Sequence, residues 1–110
     1  MKAALPKRII AAILLCLLGS APALAITAQD VTQKMSKQDR FNYLTGLIDM
    51  RAYAAAQSGD AKMPKCIYDA YYRKIGDDSD AWVALYAALE KFPKEEPSAI
   101  VFLLTKKACS

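Results

Sequence analysis

The stretch SKQDRFNYLTGLIDMRAYAAAQSG, residues 36–59, decides how the rest of the chain is read. Ser36 stands three residues before Asp39, the spacing at which a side-chain oxygen and an acid close the free N–H groups of a helix start. Phe41, Leu44, Ile48, Ala52 and Ala55 then recur at intervals of three and four, which lays one apolar stripe along a helix. Tyr43, Leu47, Met50 and Ala54 widen that face, and Ser58-Gly59 ends it. The spacing therefore predicts a helix over residues 37–57. Gly46 sits in its first half, at a cost of about 1 kcal/mol against Ala. Either a neighbouring backbone comes close there or nothing requires the glycine.

Downstream the same period returns three times. Pro64 suits the first turn of a second helix, residues 64–75, with Gly76 as its cap. It carries Cys66, Ile67 and three phenols, Tyr68, Tyr71 and Tyr72. The run Asp77-Asp78-Ser79-Asp80 lacks the ligand spacing and closing Glu of a calcium loop, and reads as an N-cap with acids at the positive helix end. A third helix follows over residues 81–92, with Trp82, Leu85, Leu89 and Phe92 on one side, and Pro93 stops it. Pro97 opens a fourth, whose run Ile100–Leu104 should be buried nearly all round and whose end carries Lys106 and Lys107. Upstream, residues 26–35 show no strong period and predict no element. No hairpin signal occurs anywhere. The expected fold is all-α: a small bundle of about four helices, antiparallel neighbours joined by short loops.

The first 25 residues read as an export signal. Lys2, Lys7 and Arg8 precede the unbroken apolar run Ile9–Leu18, and Ala23-x-Ala25 offers the small-x-small pattern of a cleavage site. A run of ten is short of the roughly 20 residues that cross a bilayer, so stable membrane insertion is not expected. The chain of 110 residues divides accordingly into a cleaved signal, 1–25, and a single domain, 26–110, in the periplasm. Three of the 15 basic residues and none of the 11 acidic ones lie in the signal, which leaves +1 on the domain. That balance provides no basic surface for nucleic acid.

Cys16 leaves with the signal, and Cys66 and Cys109 remain as an even pair in an oxidising compartment. A Cys66–Cys109 disulfide is expected, closing a loop of about 44 residues for roughly 4 kcal/mol of chain entropy. A separation of 43 positions argues against a redox pair, which wants CxxC spacing. If the bond forms, the start of the second helix and the end of the fourth must meet at one end of the bundle, with Cα atoms roughly 4.4–6.8 Å apart.

Catalytic chemistry is sparse. With no His there is neither a Ser-His-Asp triad nor an imidazole metal centre, and no phosphate loop or HExxH motif occurs. Glu95 and Glu96 are adjacent and do not face one another across a cleft. A binding protein without enzyme activity, cofactor or metal is expected. The contact residues expected for a protein partner are Tyr68, Tyr71 and Tyr72, with Asp49 and Arg51 nearby, since aromatic residues and Arg supply most interface hot spots. A second copy of the chain is a further candidate partner.

Tyr43-Leu-x-Gly46-x-x-Asp49, Lys65-Cys66-Ile67, Trp82 through Leu89 with Phe92-Pro93, and the closing Cys109 together resemble the periplasmic Rap1a/Tai immunity family, within a wider HdeA-like group of small exported helical proteins. The resemblance spans residues 41–109. It departs where many members carry CxP in place of Cys66-Ile-Tyr68, and Phe-Pro before the last Cys in place of Lys107-Ala108. It implies neutralisation of a cell-wall-cutting toxin delivered by a type VI secretion system. The alternatives are an HdeA-like acid-stress chaperone, against which stands the lack of a Cys before the long helix, and a structural envelope protein.

Overall fold

The computed structural model describes residues 25–73 and 79–110. Among them are five helices and no strand: α1 (Ala28–Lys34), α2 (Lys37–Gln57), α3 (Lys62–Tyr71), α4 (Asp80–Lys91) and α5 (Pro97–Cys109). The all-α bundle with one disulfide is therefore as expected, with one helix more than the periodicity indicated.

That extra helix is α1. Its seven residues are too few to display a period, and caps rather than pattern hold it. The Thr27 hydroxyl accepts from the Asp30 N–H at 3.2 Å while the Asp30 carboxylate accepts from the Thr27 N–H at 3.0 Å, a reciprocal capping box. Two more first-turn donors reach the α4–α5 connection, Ala28 N–H to the Glu95 carbonyl at 2.8 Å and Gln29 N–H to that of Pro93 at 2.9 Å. At the other end Arg40 of α2 donates to the carbonyls of Val31, Thr32 and Met35 at 3.0–3.3 Å. At both ends, some of the helix groups left without intrahelical partners thus find them elsewhere in the fold. The anchored helix then seats Ala28 and Val31 in the core with no exposed surface.

α2 has the boundaries its sequence predicts. Ser36 Oγ accepts from the Asp39 N–H at 3.1 Å. At its end Gly59 takes the left-handed φ of 88°. Its N–H donates to the Ala56 carbonyl, and the Asp60 N–H donates to that of Ala55, the paired bonds of a Schellman stop. A Cβ added at Gly46 would meet nothing within 4 Å, so no backbone approach requires that glycine.

α3 begins two residues before the expected Pro64. Asp60 is the reason: its Oδ1 accepts from the N–H groups of Lys62 and Met63, each at 3.1 Å, and caps the helix from one turn back. The helix ends at Tyr71 rather than at Ile75, and the expected Gly76 cap lies outside the described residues. The acid run keeps its capping role in part, with Ser79 Oγ accepting from the Trp82 N–H at 3.3 Å; Asp77 and Asp78 are outside the described residues.

The core is centred on Trp82, which has no exposed surface. Phe41 stacks on its indole at 5.2 Å, Tyr71 meets it edge-on at 5.6 Å, and Tyr86 lies at 5.9 Å. Its Nε1–H donates to the carbonyl of Tyr71 at 2.9 Å, so the buried polar end is paired. Leu44, Ile48, Ile67, Leu85, Leu89 and Val101 complete this centre.

Two expectations about burial are overturned. Phe92 falls at the α4 cap, where the helical stripe ends, and is 48% exposed. In α5 only Ile100 and Val101 of the apolar run are buried; Phe102 is 45% and Leu103 63% exposed, because the bundle covers one side of this helix and leaves the other free. The disulfide joins Cys66 and Cys109 with Cα atoms 5.8 Å apart, so the start of α3 and the end of α5 do meet.

Candidate functional site

The five residues proposed for partner contact divide into three that meet and two that do not. Asp49 lies exposed on α2. Tyr72, just after α3, donates its hydroxyl to Asp49 Oδ1 at 2.7 Å, and the Tyr68 ring lies 6.3 Å from the Tyr72 ring. The short α2–α3 turn makes this possible: the two helices run antiparallel, so Tyr72 returns to the level of Thr45 and Asp49. Burial, then the bond to Asp49 and its negative charge, push the Tyr72 phenol well above its ordinary range. It therefore remains a protonated donor at all ordinary pH and fixes the Asp49 carboxylate in place.

Arg51 and Tyr71 are corrections. Two residues along a helix are about 200° apart, so Arg51 points away from Asp49. Its Nε–H donates to Thr105 Oγ1 at 3.2 Å, and its guanidinium lies 4.4 Å from the Phe102 ring centre. It ties α2 to α5 and is no neighbour of the tyrosines. Tyr71 is a core residue, 4% exposed, with its phenol pushed up by burial. The spacing of three and four runs the three tyrosines along one flank of α3, and it is the edge-on contact of Tyr71 with the buried Trp82 that takes this one into the core.

Tyr53 and Met50 are the residues the sequence reading missed. Each is 61% exposed, and Tyr53 lies one turn beyond Asp49 on the same face of α2. Tyr53 falls outside the apolar stripe, whereas Met50 and Ala54, expected to widen that face, are exposed, because the bundle covers only the narrower line Leu44–Ile48–Ala55. The surface thus runs Tyr53, Asp49, Tyr72, Tyr68, with Met50 beside it.

Such a surface can bind by burying tyrosine faces around one prepositioned carboxylate. Among the described residues no three His, Cys, Asp or Glu side chains gather to hold a metal. Two shallow hollows lie elsewhere, one of about 300 Å³ between Phe92, Glu95, Ala99, Ile100 and Leu103, the other of about 240 Å³ between Thr32, Lys37, Arg40, Tyr86 and Glu90. No described helix is long and apolar enough to cross a membrane. No protein-family model, curated protein or solved structure matches this chain.

Proposed function

We propose that the protein is an exported binding domain that neutralises a secreted cell-wall-degrading effector in the periplasm, occluding it with the α2–α3 face and without chemistry of its own. The observation that carries this reading is the run of exposed tyrosines held around Asp49. Rigid aromatic anchors beside a fixed charge are what a tight protein interface needs. The signal-like residues 1–25, the paired cysteines and the resemblance over residues 41–109 support the compartment and the immunity role. Tyr53 and Tyr68 are the expected anchors, and Asp49, already bonded within the chain, meets a donor on the effector.

The test is rescue. A peptidoglycan hydrolase encoded beside this protein is directed to the periplasm of a host, with and without the protein. The protein should prevent lysis, and Tyr53→Ala with Tyr68→Ala should weaken the complex by roughly 10-fold or more per residue. Lysis unaffected by the unaltered protein would sink the reading.

An acid-activated chaperone is the second reading, and one observation favours it. The cap of α1 depends on the Asp30 carboxylate, which the Thr27 N–H, the Lys34 ammonium and the Thr27 hydroxyl lower to about 2. Protonation there loosens the helix that covers the core with Ala28 and Val31. Protection of a client protein from aggregation at pH 2 separates the two roles.

A further inference from the structure

The hollow of about 240 Å³ lies where three helices meet: Thr32 comes from α1, Lys37 and Arg40 from α2, and Tyr86 and Glu90 from α4. It carries charge of both signs, and the two signs do not meet. Lys37 and Glu90 are exposed, and neither takes part in an ion pair among the described residues, where the pair present is Lys34–Asp30. Lys91, the neighbour of Glu90, lies instead 5.5 Å from the Phe92 ring centre. Each charge also stands at the unfavourable end of its helix. Lys37 opens α2, where the backbone dipole is positive, and Glu90 lies in the last turn of α4, where it is negative. Neither position helps its own helix. Arg40, half-buried, is held differently. Its Nε and Nη2 donate to the carbonyls of Val31, Thr32 and Met35 at 3.0–3.3 Å, while Nη1 donates to none of the described residues. The guanidinium is therefore fixed in place with one amino group uncommitted.

We propose that this hollow is a binding site for a small zwitterion, a dipeptide with both ends free, its carboxylate on Arg40 and Lys37 and its ammonium on Glu90. The charges select this class. A simple anion meets the two cations but is repelled by Glu90, and a simple amine meets Glu90 but is repelled by the cations. A molecule carrying both charges answers all three. Size agrees: a hollow of about 240 Å³ is about 6 Å across, and the charged ends of an extended dipeptide lie roughly 6 Å apart at ~3.5 Å per residue. The volume also falls below the ~300–1,000 Å³ of sites for drug-sized ligands, so a longer peptide does not lie wholly inside it. The planar guanidinium of Arg40 suits a carboxylate, to which Nη1 gives a charge-assisted hydrogen bond. Lys37 and Glu90 act through solvent-exposed charges, so the affinity is modest. The hollow of about 300 Å³ is a poorer match, since Glu95 is the single charged residue among its lining Phe92, Ala99, Ile100 and Leu103 and no cation there receives a carboxylate. The dipeptide site uses neither Asp49 nor the exposed tyrosines, and it stands whether or not the α2–α3 face meets an effector. A bound dipeptide links α2 to α4 beside the terminal carbonyls of α1, so occupancy stabilises the folded bundle.

Titration of the purified oxidised protein with Ala-Ala, followed by the backbone amide resonances, tests it. Saturable shifts centred on Lys37, Arg40, Tyr86 and Glu90 are expected, with a dissociation constant of about 1 mM or below. The melting temperature should rise as the dipeptide concentration is raised. N-acetyl-Ala-Ala lacks the ammonium and Ala-Ala amide lacks the carboxylate, and each should bind at least ~3-fold more weakly. Glu90→Gln and Lys37→Gln should each weaken Ala-Ala by a similar factor. Glu90→Gln should also abolish the preference for Ala-Ala over its N-acetyl form, and Lys37→Gln should reduce the preference over the amide. In urea unfolding both variants should have a midpoint equal to or above that of the unaltered protein, because each removes a charge from the unfavourable end of a helix. This separates a ligand role from a structural one. Should a variant fail to fold, the blocked dipeptides on the unaltered protein decide alone. No saturable shift up to about 10 mM, shifts centred elsewhere, equal binding of free and blocked dipeptides, or a lower urea midpoint in either folded variant would overturn the proposal.

Discussion

Thr45 has the one buried side-chain polar atom without a hydrogen-bond partner among the described residues, its Oγ1. A hydroxyl desolvated without a partner costs stability, and Val has the same shape without the oxygen. Thr45→Val should raise stability by about 1 kcal/mol in urea unfolding, without changing the slope of the transition. Tyr72 makes the opposite case, a polar group whose partner is fixed. Its phenol is raised above the ordinary 10.0, as are those of Tyr43 and Tyr71, in each case chiefly by burial. The folded state therefore keeps protons that the unfolded chain releases near pH 10. This stabilisation is complete below that pH and is lost as pH rises through the folded values. Melting temperature should fall above about pH 10, and Tyr72→Phe should make the fall shallower.

At the scale of elements, α1 depends on groups it does not itself contain. Arg40 closes three of its terminal carbonyls from α2, and the α4–α5 connection closes two of its donors. Arg40→Met keeps the stem and removes the donors. It should cost about 2 kcal/mol and raise amide exchange in α1 before any other helix. The Asp30 contribution is present above the ordinary carboxylate value of 3.8 and is lost as pH falls through about 2. α2 is the contrary case, since its own caps and stripe define it. Its weak point is Gly46, exposed and with open space around it. Gly46→Ala should stabilise the protein by about 1 kcal/mol, measured by the midpoint of urea unfolding.

The molecule as a whole is closed by the bond between Cys66 and Cys109, which joins the start of α3 to the end of α5 across 43 positions. A domain this small has a total stability of only about 5–10 kcal/mol. Replacing both cysteines by Ser should therefore remove roughly 2–5 kcal/mol and lower the melting temperature by 10 °C or more. A smaller effect would mean that the aromatic cluster around Trp82 closes the bundle without help. The outcome bears on compartment as well, because a domain that needs its disulfide cannot persist where thiols are kept reduced.

Four helices, their main stops and the disulfide were legible in the sequence, because each is a local or compositional fact. A stripe at three and four, Ser before an acid, Gly after the last turn and Pro before the first are all written within a few neighbouring residues. α1 was not legible as a pattern, although Thr27 three residues before Asp30 was its one local sign. Seven residues are too few to show a period, and α1 forms through Arg40 on the next helix and through Glu95 and Pro93, which are distant in the chain. The candidate surface was half legible. Composition pointed to the tyrosines, but which of them face water depends on where α2, α4 and α5 lie. Packing against Trp82 took Tyr71 into the core, and the Thr105 contact turned Arg51 toward α5. The return of α3 along α2 brought Tyr72 onto Asp49. The sequence by itself determined which segments are helical and which cysteines pair. Only the tertiary structure decided which side of each helix remains uncovered, because exposure belongs to a residue's neighbours in space and not to its neighbours in the chain.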